Sequence, residues 1–171
     1  MLAHAAEARA LPQFPAALCW RINHLQAYAK FRVPLGDTVQ PIAIVGAGLI
    51  GSELANDLAL AGHQITLLDA QTRPFASCLS EAQSQQLLNA WQPLPIRFIG
   101  GVEVRVVSYD SPSAWGEKHI FTQCGQVFTV DHIVMAAGLQ TPNRLAIRAG
   151  LKWTTGIEIH PATLATCVEG I

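Results

Sequence analysis

From Pro41 the chain runs apolar without a break through Ile42, Ala43, Ile44 and Val45, which predicts a strand covered on both faces. Beyond a glycine-rich turn, Leu54, Leu58 and Ala61 recur at helical spacing with Ala55 and Ala59 beside them, and Gly62 supplies the stop. "QITLLD" is a second buried run, so strand, turn, helix and strand follow one another within about thirty residues. Two strands joined through a helix in this way must be parallel. Ser80 to Gln83, "SEAQ", is a capping-box pattern opening a helix to about Trp91, and "PIRFIG" is a third short strand.

From Val102 to Val130 the period changes to two. "VEVRVVSY", "KHIFTQ" and "QVFTV" alternate between apolar and polar, with turn residues between them, which predicts an antiparallel meander. "HIVMAAG" returns to the buried parallel type, followed by a short helix in "PNRLAIRAG" and a strand in "GIEIH", with Thr141 to Asn143 as turn and helix cap. Upstream, "LPQFPAALCW" carries two prolines and reads as irregular. "INHLQAYAKFR" places Ile22, Leu25, Ala29 and Phe31 at near-helical spacing with Asn23 as N-cap, and "VPLGDTVQP" reads as a linker. The expected class is α/β, a Rossmann-like βαβ domain with a central parallel sheet and an antiparallel β-meander.

Composition narrows the function. The 171 residues are half hydrophobic and 13% charged, with a formal net charge of −1, which excludes a disordered chain and a nucleic-acid binder working through a basic surface. No apolar run approaches the roughly 18 residues that span a bilayer. Cys19, Cys78, Cys124 and Cys167 show no C-x-x-C spacing and are read as reduced thiols of a cytoplasmic protein. The six histidines are dispersed, are expected at surface or half-buried positions, and suggest no metal site.

The candidate chemistry lies in Gly46, Gly48 and Gly51, one complete G-x-G-x-x-G between the first strand and its helix. In a dinucleotide site Gly46 makes the sharp turn, Gly48 lets a pyrophosphate approach the backbone, and Gly51 lets helix and strand pack closely. The helix N-terminus offers unpaired N–H groups and partial positive charge to phosphates. Asp69 follows Gly46 by 23 positions, near the roughly 20 expected of a ribose-binding acid. A carboxylate there favours NAD over NADP; Arg73, four residues later, pulls the other way if it meets a 2′-phosphate. The plainer readings are a tight turn with a helix-capping Asp69, and a solvated loop charge for Arg73.

"GAGLIGSELANDLALAGHQITLLD", with "INHLQAYAKFR" before it and "DHIVMAAGLQTPNRLAIRAGL" and "GIEIHPATLATCVEGI" after it, resembles the pyridine-nucleotide-dependent flavoprotein reductases with two dinucleotide-binding domains, in their rubredoxin–NAD reductase branch. The resemblance implies NAD held by Gly46, Ala47, Gly48, Leu49, Ile50, Gly51, Glu53, Asp69, Arg73, Ala137 and Gly138, with Ile50 and Glu53 toward the nicotinamide. For Glu53 the alternative is a carboxylate complementing the helix dipole; for Ala137 and Gly138 it is a strand-end turn. The resemblance further implies FAD on a flavin domain and a small electron-transfer protein, such as rubredoxin, as acceptor. It divides the chain into residues 1–38 as a partial flavin-domain segment and linker, 39–150 as the NAD-binding domain, and 151–171 as a return segment.

Such reductases also carry a flavin-binding G-x-G-x-x-G and a later G-D motif, and this sequence begins after the first and stops before the second. In "LAHAAEARALP", Ala5 stands where the family usually has glycine and Ala8 where it has proline. The expectation is therefore a fragment that binds NADH without holding FAD or turning over. The competing reading is a stand-alone NAD-binding sensor or regulatory module. A short-chain dehydrogenase is disfavoured because no Tyr and Lys lie four apart, and a nucleophilic hydrolase because G-x-S-x-G is absent. No side chain is assigned an acid, base or metal-binding role, since the cofactors carry the chemistry.

Overall fold

The computed structural model describes residues 6–109 and 116–170. Ala5 and the turn expected beyond Tyr109 lie outside the described residues. The elements are β1 (Glu7–Ala8), β2 (Trp20–Arg21), α1 (Leu25–Leu35), β3 (Pro41–Val45), α2 (Leu49–Leu60), β4 (Gln64–Leu68), α3 (Glu81–Trp91), β5 (Ile96–Ile99), β6 (Val104–Tyr109), β7 (Lys118–Thr122), β8 (Val127–Val130), β9 (His132–Met135), β10 (Leu139–Gln140) and α4 (Arg144–Arg148). The larger compact unit is Ala8–Gly138, and the remaining described residues form the smaller.

In the larger unit a five-stranded parallel sheet runs in the order β2-β9-β3-β4-β5. The expected α/β class with a parallel sheet and a separate antiparallel meander, β6-β7-β8, is found. The apolar run of β3 is explained by what covers it. Ile42 and Ile44 point into a core with Ala55, Leu58, Trp91 and Phe31 from the helices, while Ala43 points into a second core with Ile120 and Val130 from the meander. With both faces buried, no polar alternation survives. The capping box forms as predicted, Ser80 Oγ accepting from Gln83 N and the Gln83 side chain accepting from Ser80 N.

Several local expectations are corrected. Helix α1 is capped by His24, whose Nδ1 accepts from Ala27 N at 3.1 Å, and not by Asn23. Its packed positions are Phe31 and Leu35, while Leu25 and Ala29 face outward. The helix also continues through Val33, Pro34 and Leu35, where the sequence predicts a linker, because burying Leu35 fixes the last turn. On α2 the buried face is Gly51, Ser52, Ala55, Leu58 and Ala59, leaving Ala61 exposed and Leu54 half-buried. A register shift between Val104 and Val106 breaks the alternation of β6, so Val106 is exposed and Val107 buried. Trp20, at the end of the segment expected to be irregular, joins Arg21 in a short strand beside β9. Phe31 and Leu35 pack in the core of the Ala8–Gly138 unit, so α1 belongs to it although it precedes residue 39.

In the smaller unit, α4 follows Asn143, which sits at the cap position without a side-chain cap bond. "GIEIH" is not a strand: Ile157 makes only an isolated bridge to Trp153.

His63 and His132 are buried, beyond the surface or half-buried placement expected of the histidines. Burial pushes the His132 imidazole down to about 4, helped by the Lys118 ammonium and the neighbouring His63, and opposed by Asp131. His63 is also lowered, by burial and then by Arg32, and its Nδ1 accepts from Gln40 N at 3.3 Å. An unfolded histidine protonates near 6.5 and the folded His132 near 4, so between these values the unfolded chain holds more protons. This contribution to stability is complete above pH 6.5 and is lost as pH falls toward about 4. Urea midpoints should fall between about pH 7.5 and about pH 4.5, and less steeply in His132→Gln; equal midpoints at both pH values would refute this.

Candidate cofactor-binding site

Because β3, β4, β5 and β9 are parallel, their C-terminal ends Val45, Leu68, Ile99 and Met135 lie along one edge of the sheet. The chain leaves β3 for β4 on one side, while β9 occupies the other, which makes a crevice at the end of β3. A cleft of about 700 Å³ opens there, lined by Gly46, Gly48, Leu49 and Ile50, by Asp69 to Gln71, by Val102 to Val104, by Ala136 to Gly138, and by Arg9, Leu11, Gln13, Phe14 and Gln123.

The three glycines are not interchangeable. Gly46 has φ +108° and lies so close to β9 that a Cβ would sit 2.4 Å from the Ala136 carbonyl oxygen. A Cβ on Gly51 would sit 1.8 Å from the Gly46 carbonyl oxygen, because α2 packs onto the turn it leaves. A Cβ on Gly48, the N-cap residue of α2, would meet nothing within 4 Å. The first two glycines are thus demanded by the protein's own packing, whereas space beside the third stays open. The first intrahelical bond is Ser52 N to the Gly48 carbonyl at 3.0 Å, so the N–H groups of Leu49, Ile50 and Gly51 have no partner in the helix. Partial positive charge and free donors meet at that open space.

Asp69 is half-buried at the end of β4 and takes part in the turn itself. Its Oδ2 accepts from Ala47 N and its Oδ1 from Gln71 N at 2.7 Å. Each oxygen keeps further lone-pair capacity toward the cleft. Ala137 and Gly138 lie on the opposite wall, where Gly138 turns at φ +91° and its carbonyl accepts from Arg9 N at 3.0 Å.

Two residues of the expected set sit differently. Arg73 lines a side recess with Ala47, Gly48, Asp69 and Phe75, but its guanidinium is turned to the Leu79 and Ala76 carbonyls and to Ser84 Oγ. In this arrangement three protein acceptors engage it. Glu53 is exposed on α2 and lines a separate depression with Ile22, Tyr28 and Leu54; Ile50 borders both that depression and the cleft.

Arg9, a cation, and the apolar Val102, Val104 and Phe14 also line the cleft without being among the expected site residues. The short apolar alternation after β5 marked the two valines, but nothing in their spacing tied them to the glycines. Among the described residues no three of His, Cys, Asp and Glu gather as a metal site, the four cysteines are free, and no helix is long and apolar enough to cross a membrane.

Comparison with known proteins agrees with this geometry. The family model for pyridine nucleotide-disulphide oxidoreductases matches residues 2–171. The chain is 33% identical over 152 residues to the rubredoxin-NAD(+) reductase of Acinetobacter baylyi, covering 88% of this chain and 38% of that protein. It is 32% identical over 142 residues to a nitric oxide reductase FlRd-NAD(+) reductase of Vibrio vulnificus, covering 80% of this chain and 34% of the relative. The chain therefore spans less than two fifths of either relative. Among solved structures, a ferredoxin reductase from Rhodopseudomonas palustris superposes with a TM-score of 0.79 at 21% identity, over 89% of this chain and 37% of that one. The putidaredoxin reductase in its covalent complex with putidaredoxin gives 0.78 at 22%, over 90% and 38%. At those identities the likeness is one of fold. Strand, glycine turn, helix and acid agree with the sequence match along the whole chain: it belongs to the pyridine nucleotide-disulphide oxidoreductase family.

Proposed function

We propose that the cleft binds NAD(H), as the nucleotide half of a reductase in which FAD on a flavin domain takes the reducing equivalents and a small redox protein such as rubredoxin receives them. The observation that carries this is Gly48, whose missing side chain leaves room over the N-terminus of α2 in a cleft walled by Asp69. The pyrophosphate lies over Gly48 and the N–H groups of Leu49 and Ile50. The adenosine ribose lies against Asp69. The nicotinamide end is directed toward Ile50, Ala137 and Gly138, with Glu53 beside rather than inside the cleft.

A bound nicotinamide supplies hydride chemistry. The chain's own groups bind the phosphates, orient the ring and exclude water, and none acts as acid or base. The names of the relatives, NAD(+) reductases of rubredoxin and of a nitric oxide reductase component, support the nucleotide and the class of acceptor. One glycine motif is present and is used by this cleft, so the chain binds NADH and does not hold FAD or turn over by itself. Four free thiols suit a reducing, cytoplasmic setting.

Calorimetry should show NADH binding more tightly than NADPH, because the Asp69 carboxylate accepts from a ribose hydroxyl and repels a phosphate. Asp69→Ala should cost NADH roughly tenfold or more and narrow the gap between the nucleotides, as expected for a charge-assisted hydrogen bond. Tighter NADPH binding by the unmodified chain would sink the assignment. Stoichiometric flavin on the purified chain together with NADH-dependent dye reduction would overturn the reading that it neither holds FAD nor turns over.

A further inference from the structure

The loop between β4 and α3 is gathered onto one guanidinium. Arg73 Nη1 donates to the Leu79 carbonyl at 2.6 Å and to Ser84 Oγ at 2.9 Å, and Nη2 donates to the Ala76 carbonyl at 3.1 Å. Ser84, buried near the start of α3, donates in turn to the Pro74 carbonyl at 2.7 Å. Loop carbonyls 74, 76 and 79 therefore converge on a single Arg–Ser pair.

What this convergence holds is the backbone of Phe75. Its φ of +54° is a left-handed conformation that a bulky residue adopts only where its surroundings enforce it. In that conformation Phe75 N donates to the Ala47 carbonyl at 2.9 Å. Ser52 Oγ reaches the same carbonyl at 3.2 Å, and Asp69 takes the Ala47 N–H. The residue between Gly46 and Gly48 is thus held through both its N–H and its C=O.

We propose that Arg73 is a positioning residue for the nucleotide: it latches the 74–79 loop so that Phe75 and Asp69 hold Ala47, and it does not bind the 2′-phosphate itself. This rests on the cleft being the nucleotide site. To reach a phosphate the guanidinium would have to give up three protein acceptors, leaving the Leu79 and Ala76 carbonyls to find other donors. Held as it is, it lowers the ordering cost of binding, which is felt equally by every ligand that uses the glycine turn.

The test uses Arg73→Met, Arg73→Lys, Ser84→Ala and the Arg73→Met/Ser84→Ala double variant. In the chain without nucleotide, amide hydrogen exchange at Phe75 should accelerate in Arg73→Met while Ile42 to Ile44 keep their protection. With nucleotide, NADH, NADPH and ADP-ribose should all weaken by one common factor, roughly tenfold in Arg73→Met, the scale of losing preorganisation at one such clamp. Ser84→Ala should give part of that loss, the double variant no more than Arg73→Met, and Arg73→Lys should not restore it, because an ammonium lacks the planar fork. Loss confined to NADPH, or unchanged exchange at Phe75, would overturn the proposal. Absence of NADH binding by the unmodified chain would remove the cleft reading, and the exchange experiment would still decide the latch.

Discussion

Gly51→Ala is expected to destabilise the chain by about 3 kcal/mol or more, lowering Tm by roughly 6–12 °C for a chain of this size. The added methyl would lie 1.8 Å from the Gly46 carbonyl oxygen and 3.1 Å from Ala136 Cβ, so α2 must move away from the strand it packs on. With backbone on one side and the short Ala136 side chain on the other, nothing flexible absorbs the clash. Gly48→Ala is the matched control. Its methyl meets nothing within 4 Å, so Tm should stay within about 2 °C. NADH affinity should nevertheless fall about tenfold or more as the methyl enters the space assigned to the pyrophosphate. Thermal melts followed by circular dichroism, with nucleotide titration of each variant, decide the matter. A melting point for Gly51→Ala equal to the parent would contradict the packing, and undiminished NADH binding by Gly48→Ala would contradict the site.

Phe31→Ala should cost about 3–5 kcal/mol in urea unfolding, the range for deleting a fully buried aromatic ring. Phe31 is fully buried, its ring edge-on to His132 at 6.0 Å and tilted against Trp20 at 5.5 Å. Truncation therefore loses apolar burial and two ring contacts, and it opens a cavity beneath β9. Phe31→Leu should cost less than half as much, since it keeps most of the volume. The result bears on organisation, because α1 lies in the stretch that the family resemblance assigns to the preceding segment. A cost below about 1 kcal/mol would mean that α1 is dispensable to this unit.

Where the physical signal is local, the sequence shows it. Ser80 and Gln83 bond to one another's backbone within a single turn, so their spacing alone predicts the cap of α3. The packing demands on Gly46 and Gly51 are legible for a similar reason, since strand, turn and helix adjoin in sequence. Trp20–Arg21 was not legible as a strand because its pairing is supplied entirely by β9, more than a hundred residues away (134 − 20 = 114). Lys118 shows the limit of reading by residue type. The alternation of β7 allots it an inward position, yet an ammonium argues for water. The fold reconciles them by offering the Gly116 and Asp131 carbonyls at 2.9 and 2.6 Å, while burial still pushes its pKa down. Arg73 was ambiguous because its acceptors are mostly main-chain carbonyls, which carry no mark in the sequence.

The central position of β3 has a consequence for how the chain reaches this structure. One edge of β3 pairs with β4 within a short span, Ile42 with Ile65, but the other waits for Ile42 to meet His132, 90 residues later (132 − 42 = 90). Closing so long a loop is slow compared with the local hairpins of β6, β7 and β8. On the ribosome the apolar edge of Ile42 to Val45 therefore stays open until the last strand of the sheet emerges. A nascent or truncated chain ending before His132 carries its most hydrophobic strand with an unpaired edge, the form in which chains associate with one another rather than fold.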